Sequence, residues 1–174
     1  MEDNEKKLNV LIRQKDYFQY IYEQEQKRAV SIIAGAKVYI GFLIFIVGSI
    51  FLKVITADNI IKLFNDSSAS ILGKIMGFTF ILLSGVFLII AFIFTILVLK
   101  VWSYDRLCNP TERFKETISM NNEIEVLSKC ISDFAITVTR NSKINNIRAK
   151  YLSYALSFLL LGSLFALVTA TIIN

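Results

Sequence analysis

From Ile75 to Leu99 the chain runs twenty-five residues without a charged side chain, IMGFTFILLSGVFLIIAFIFTILVL. A helix of that length, at about 1.5 Å per residue, exceeds the roughly 30 Å hydrocarbon core of a bilayer. The run therefore reads as a transmembrane helix, long enough to tilt. A second uncharged run, residues 151–173, lies near the end of the chain, with Arg148 and Lys150 just before it. A further span is read over 30–56. It carries Lys37 and Lys53, and the uncharged stretch between them, 38–52, has only fifteen residues. The two lysines can snorkel in opposite directions, which restores a full span.

The expected fold class is an all-α integral membrane protein with three transmembrane helices. Its parts are an N-terminal cytoplasmic helix over 1–29, spans at 30–56, 75–99 and 151–174, a short external connection over 57–74, and a cytoplasmic helical segment over 100–150. Composition agrees: 55% of the 174 residues are apolar and mean hydropathy is +0.56, too apolar for an ordinary soluble domain.

The net charge of +5 would hint at nucleic acid in a soluble protein. In a membrane protein the positive-inside rule accounts for it, and no nucleic-acid partner is expected. Segment 1–29 carries Lys6, Lys7, Arg13, Lys15, Lys27 and Arg28, and segment 103–150 carries eight Lys and Arg residues, whereas 57–70 has only Lys62. Both basic segments are thus read as cytoplasmic and the C-terminus as external. Cys108 and Cys130 fall on the cytoplasmic side and read as free thiols. The first twenty-nine residues are too long and too mixed in charge for a signal peptide, so the first span reads as an uncleaved anchor.

Within 5–29, Leu8, Leu11 or Ile12, Phe18 and Tyr22 lie near one helical face, with no Gly or Pro to interrupt a helix running on into the membrane. Asn65-Asp66-Ser67-Ser68 is turn and cap chemistry ahead of the second span. Trp102 and Tyr104 beside Lys100 and Arg106 mark a membrane–water interface. Asn109 and Pro110 suit the start of a new helix over 111–147. There, Met120, Ile124, Leu127, Ile131, Phe134 and Val138 are spaced 4, 3, 4, 3, 4, a heptad seam. The same spacing leads to Asn141 and Asn145. Those two either fix helix register or, with Arg140, Lys143 and Arg148, contact an anionic signal at the membrane face. The basic residues, Lys150 included, also suit anionic lipid headgroups, at about 1 kcal/mol each near the surface.

Catalytic chemistry is sparse. The chain has no His, no Cys pair at metal-ligand spacing, and no glycine-rich phosphate loop. No Asp or Glu lies inside a span, and Ser49, Ser84, Ser153, Ser157 and Ser163 have no general base at depth. Neither an enzyme nor a cofactor is expected. Small residues carry packing signals instead: Gly162, Ala166 and Ala170 recur every four residues, Gly77, Ser84 and Ala91 every seven, and Gly41 and Gly48 are also seven apart. They serve either the three spans of one chain or contacts between copies. On the second reading Gly162, Ala166 and Ala170, with Ile131 and Phe134, form the contact of a homo-oligomer. No polar stripe runs the length of the third span, which disfavours a wide open channel and leaves a pore closed by an apolar constriction.

An N-terminal helix running into a first span, a short external turn, a second span, a basic cytoplasmic helix and a last span approached through KINNIRAKYLSYAL together resemble the small transmembrane effectors of bacterial anti-phage systems. The layout is closest in kind to the Pycsar transmembrane effectors, and SLATT-type effectors are similar over the first two spans. The resemblance is one of layout over most of the chain, with no signature motif. It implies a signal-activated protein of the bacterial inner membrane, partnered by membrane lipids and by its own copies, that disrupts membrane integrity in an infected cell and answers a cyclic nucleotide. The alternative from another class is a membrane scaffold or accessory subunit that recruits a cytoplasmic partner through the heptad seam.

Overall fold

The structure, a computed structural model, describes residues 2–51, 61, 64–65, 70–100 and 122–173. Three long helices account for most of them: α1 (Glu2–Ile46), which passes into a π-helical turn at Val47–Phe51, α2 (Ile71–Leu99) and α3 (Glu123–Ile173). Among the described residues three helices are long and apolar enough to cross a membrane. The boundaries expected at 29/30 and 150/151 fall inside unbroken helices, with no Gly or Pro within four residues of either.

Helix ends follow local chemistry. α2 begins four residues earlier than the uncharged run, at Ile71. Ser70 is its N-cap, and the Ser70 hydroxyl accepts from the Gly73 N–H at 3.1 Å. Lys74 is accommodated in the first turn, where its ammonium donates to the Phe64 carbonyl at 2.7 Å. At the start of α3 the Asn122 side chain accepts from the Ile124 N–H at 3.1 Å, and Glu123 and Glu125 complement the helix dipole. The sequence-predicted cap at Asp66-Ser67-Ser68, most of the connection 57–74, and Lys53, Trp102, Tyr104, Cys108, Asn109, Pro110 and Met120 lie outside the described residues.

Each helix buries one face with alternating spacings of three and four, a period of 3.5. In α2 the buried residues are Gly77, Ile81, Ser84, Leu88, Ala91, Thr95 and Val98. In α3 the buried column Phe134, Asn141, Arg148, Ala155, Gly162, Thr169 advances seven residues at a time. The heptad seam read from 124 to 138 therefore continues on one face into the apolar half of α3. In α1 the seam runs through Leu8, Leu11, Phe18, Tyr22 and Glu25 to buried Ala29, Ile32, Ala36 and Leu43. Of the pair Leu11 and Ile12, Leu11 is the seam residue.

The chain divides into two compact units, Met1–Ser31 with Val101–Ile147, and Ile32–Lys100 with Arg148–Asn174. In the first, α1 and α3 run parallel. Tyr22 meets Phe134 edge-on with ring centroids 6.0 Å apart, and further along Glu25 meets Asn145 and Arg28 meets Asn146.

In the second unit α2 runs antiparallel to α3. A ladder of aromatic rings joins them: Phe80 on Phe165, Phe165 on Phe87, Phe87 on Phe158 and Phe158 on Phe94, with centroids 5.6 to 5.9 Å apart. Phe94 continues the ladder to Tyr154 and Tyr151. Residue number rises along α2 as it falls along α3. Helix α1 closes the bundle through Leu43 with Leu88, Ala91 and Leu159, and through Ile32 and Ala36 with Val98. Small residues set the closest approaches. A Cβ on Gly162 would lie 2.9 Å from Leu88 Cγ, and one on Gly35 would lie 3.3 Å from Leu152 Cδ2.

Candidate functional site

The polar layer of the first unit holds most of the chemistry that the seam contains. Asn141 and Asn145, one turn apart on α3, are both 0% exposed. The Asn145 amide donates at 2.9 Å to the Glu25 carbonyl and at 2.7 Å to the Glu25 carboxylate. The second bond is charge-assisted and is the stronger of the two. Arg28, one turn after Glu25, donates at 2.7 Å to the Asn146 side chain and lies 3.5 Å from the Glu25 carboxylate. Arg28 is 41% exposed, so solvent screening leaves that ion pair weak. A polar side chain within a helical seam makes a shifted register cost a desolvated amide. Through the Asn145–Glu25 contacts the layer ties α3 to α1 at this level.

The five residues expected at an anion or headgroup site do not share one surface. Arg140 and Lys143 are exposed. Asn141, Asn145 and Arg148 are buried, because 141, 145 and 148 are seam positions and 140 and 143 flank the seam. Arg140 and Lys143 thus lie on the outer side of α3, and Asn141 and Asn145 lie in the packed seam.

The small-residue ridge also divides. Gly162 and Ala166 are buried, and Gly162 packs against Leu88 of the same chain; Ala170 is half-buried. The Ser84 hydroxyl donates at 2.9 Å to the Gly162 carbonyl. Gly77, Ser84 and Ala91 likewise face inward. The ridge on α3 thus packs within the chain at Gly162 and Ala166. Gly41 and Gly48 differ: an added Cβ at either meets no atom within 4 Å. In the seam of the first unit Phe134 is buried, whereas Ile131 is half-buried.

A groove of about 480 Å³ between α1 and α2 is lined by apolar residues including Leu43, Val47, Gly48, Leu88 and Phe92. No polar group converges on it, so it offers no acid–base or nucleophilic chemistry. Among the described residues no group of His, Cys, Asp and Glu could hold a metal ion. Comparisons with protein-family models, with curated proteins and with solved structures find no match to this chain.

Proposed function

We propose that the chain is a non-catalytic effector of the bacterial inner membrane, crossing it three times with a cytoplasmic N-terminus and an external C-terminus. In this reading a signal at its cytoplasmic helices, a cyclic nucleotide in the resemblance described above, drives copies of the chain to assemble and disrupt membrane integrity in an anti-phage response. The observation that supports it best is the continuity of α1 and α3. Each helix carries one seam from a polar segment into an apolar span, and a polar layer centred on Glu25 and Asn145 fixes the register of the polar part. A change of register at that layer is a two-state event, and an unbroken helix can carry it along its axis. The antiparallel placement of α2 against α3 suits a chain that crosses three times.

The test is induced expression in bacteria loaded with a membrane-potential dye, with and without added cyclic nucleotides. Depolarisation that requires the nucleotide supports the reading, and an unchanged potential across the nucleotide panel removes it. The scaffold reading is favoured by one observation. Val10, Tyr17 and Tyr20 expose 54%, 61% and 60% of their surface on the polar part of α1, a face that suits a protein partner. Co-purification of one stoichiometric partner, with no depolarisation, selects it.

A further inference from the structure

The groove between α1 and α2 is a concavity and not a flat helix face. Its floor is Leu43 and Leu88, each 4% exposed. Its rims are Ile44 and Ile89, which expose 67% and 61% of their surface. Gly48 opens the α1 wall. It lies in the π-helical turn Val47–Phe51, a distortion frequent at functional sites, and a Cβ added there meets no atom within 4 Å. No lining residue has a polar side chain, and both walls belong to helices long and apolar enough to cross a membrane. In a chain that crosses a bilayer the groove opens to hydrocarbon, and an acyl chain gives its lining the dispersion contacts that the protein does not.

Two cations stand beyond one end of this groove. Ile32 and Ala36 of α1 pack with Val98 of α2, and further along α1 Leu43 packs with Leu88 and Ala91. That pairing sets Lys37 and Lys100 at the same end of the two helices. Lys37 lies seven residues from Ile44, about 10 Å along α1, and Lys100 lies eleven residues from Ile89, about 16 Å along α2. Seven and eleven residues are close to whole numbers of turns, so each lysine is on the side of its helix that carries the groove. Both are exposed, and among the described residues neither ammonium has a hydrogen-bond or ion-pair partner. α1 has no Asp or Glu after Glu25, α2 has none, and α3 has none after Asp133, so these segments supply no carboxylate as counter-ion.

We propose that the groove holds one acyl chain of an anionic phospholipid whose phosphate is bound by Lys37 and Lys100. The proposal rests on the membrane crossing in the reading above and not on the effector role. The groove alone would take the tail of any lipid. The two lysines add the preference for a negative headgroup, since their long apolar stems follow the helix surface and carry the ammonium groups to headgroup level.

Native mass spectrometry of the full-length chain in mild detergent tests this, with phosphatidylglycerol and phosphatidylethanolamine of the same acyl chains. Wild type should retain one phosphatidylglycerol at a concentration about ten-fold below that needed for phosphatidylethanolamine. Lys37→Gln/Lys100→Gln should bind the two lipids alike, because the groove remains and the charge is gone. Gly48→Leu should lose both lipids by filling the groove. Gly41→Leu also enters open space but lies outside the groove, and should retain them. Equal retention of the two lipids by wild type overturns the proposal. So does a preference that survives in the double lysine variant, or retention by Gly48→Leu equal to that by Gly41→Leu. Any of these results in a chain that still depolarises cells on signal leaves the effector reading standing without the lipid site. A lipid preference in a chain that never depolarises cells keeps the site and removes the effector reading.

Discussion

The Ser84 hydroxyl of α2 donates a hydrogen bond of 2.9 Å to the carbonyl oxygen of Gly162 on α3. The bond forms because Gly162 has no side chain: a Cβ there would lie 2.9 Å from Leu88 Cγ and 3.3 Å from the Leu88 backbone nitrogen. Gly162→Ala should therefore destabilise the bundle by about 1–3 kcal/mol through overpacking. Ser84→Ala should cost about 0.6–1.7 kcal/mol, the range for hydrogen bonds between helices in a membrane. Gly41→Ala, with no atom within 4 Å, should be neutral. Unfolding in mixed micelles measures all three, and equal stability of Gly162→Ala and Gly41→Ala would contradict the packing.

Asn145→Asp should be among the more damaging single-atom changes. It sets a second carboxylate where the amide now donates 2.7 Å from the Glu25 carboxylate. Two like charges in a buried seam destabilise by several kcal/mol or force a proton on. Adding Glu25→Gln restores a donor and should recover most of the loss. Thermal melting of the single and double variants decides it: a double variant no more stable than Asn145→Asp alone rules out coupling through this pair.

Phe134→Asp should cost more than Ile131→Asp. Phe134 is 8% exposed and meets Tyr22 edge-on, whereas Ile131 is only half-buried, so the first substitution desolvates a charge that the second leaves near water. The difference should be about 1 kcal/mol or more in a denaturant titration. The reverse order would mean that the seam faces the other way.

Phe158 stands in the middle of the aromatic ladder, touching both Phe87 and Phe94. Phe158→Ala should cost about 3 kcal/mol, the lower end for removing a packed aromatic, while Phe92→Ala, 46% exposed, should cost less than half as much. Stability measured in the same micelles separates them, and a larger loss at Phe92 would refute the ladder.

The proposed orientation has its own check. A periplasm-active reporter joined at residue 174 should be active and one joined at residue 1 silent. Activity from the N-terminal fusion inverts the topology.

The apolar helices were legible because lipid-crossing length is written directly as uncharged runs, and Ile124 to Val138 were legible because their seam is apolar. The same spacing reached Asn141 and Asn145, but the course of the seam beyond them was not legible: it runs through Arg148, then Ala155, Gly162, Ala166 and Thr169. In a span, the inward positions go to small and hydroxylated residues while large apolar ones turn outward, so a hydropathy pattern points to the wrong face. The same inversion hid the role of Gly162, whose spacing announces a close approach without saying to which helix. α2 starts four residues before the uncharged run, and Lys74 is tolerated in its first turn because its ammonium reaches the Phe64 carbonyl. The split of Arg140 and Lys143 from Asn141, Asn145 and Arg148 needed only the helical phase, carried past the last apolar residue of the seam.

The hydroxyls of the apolar bundle imply an order of biogenesis. Thr95 donates to Ala91, Ser163 to Leu159 and Thr169 to Phe165, each within its own helix. These groups are satisfied before any neighbouring helix packs. Ser84 differs, because its acceptor belongs to a segment synthesised 78 residues later. Until α3 packs against α2, that hydroxyl lacks the Gly162 acceptor. α3 is therefore the helix that completes the hydrogen bonding of α2.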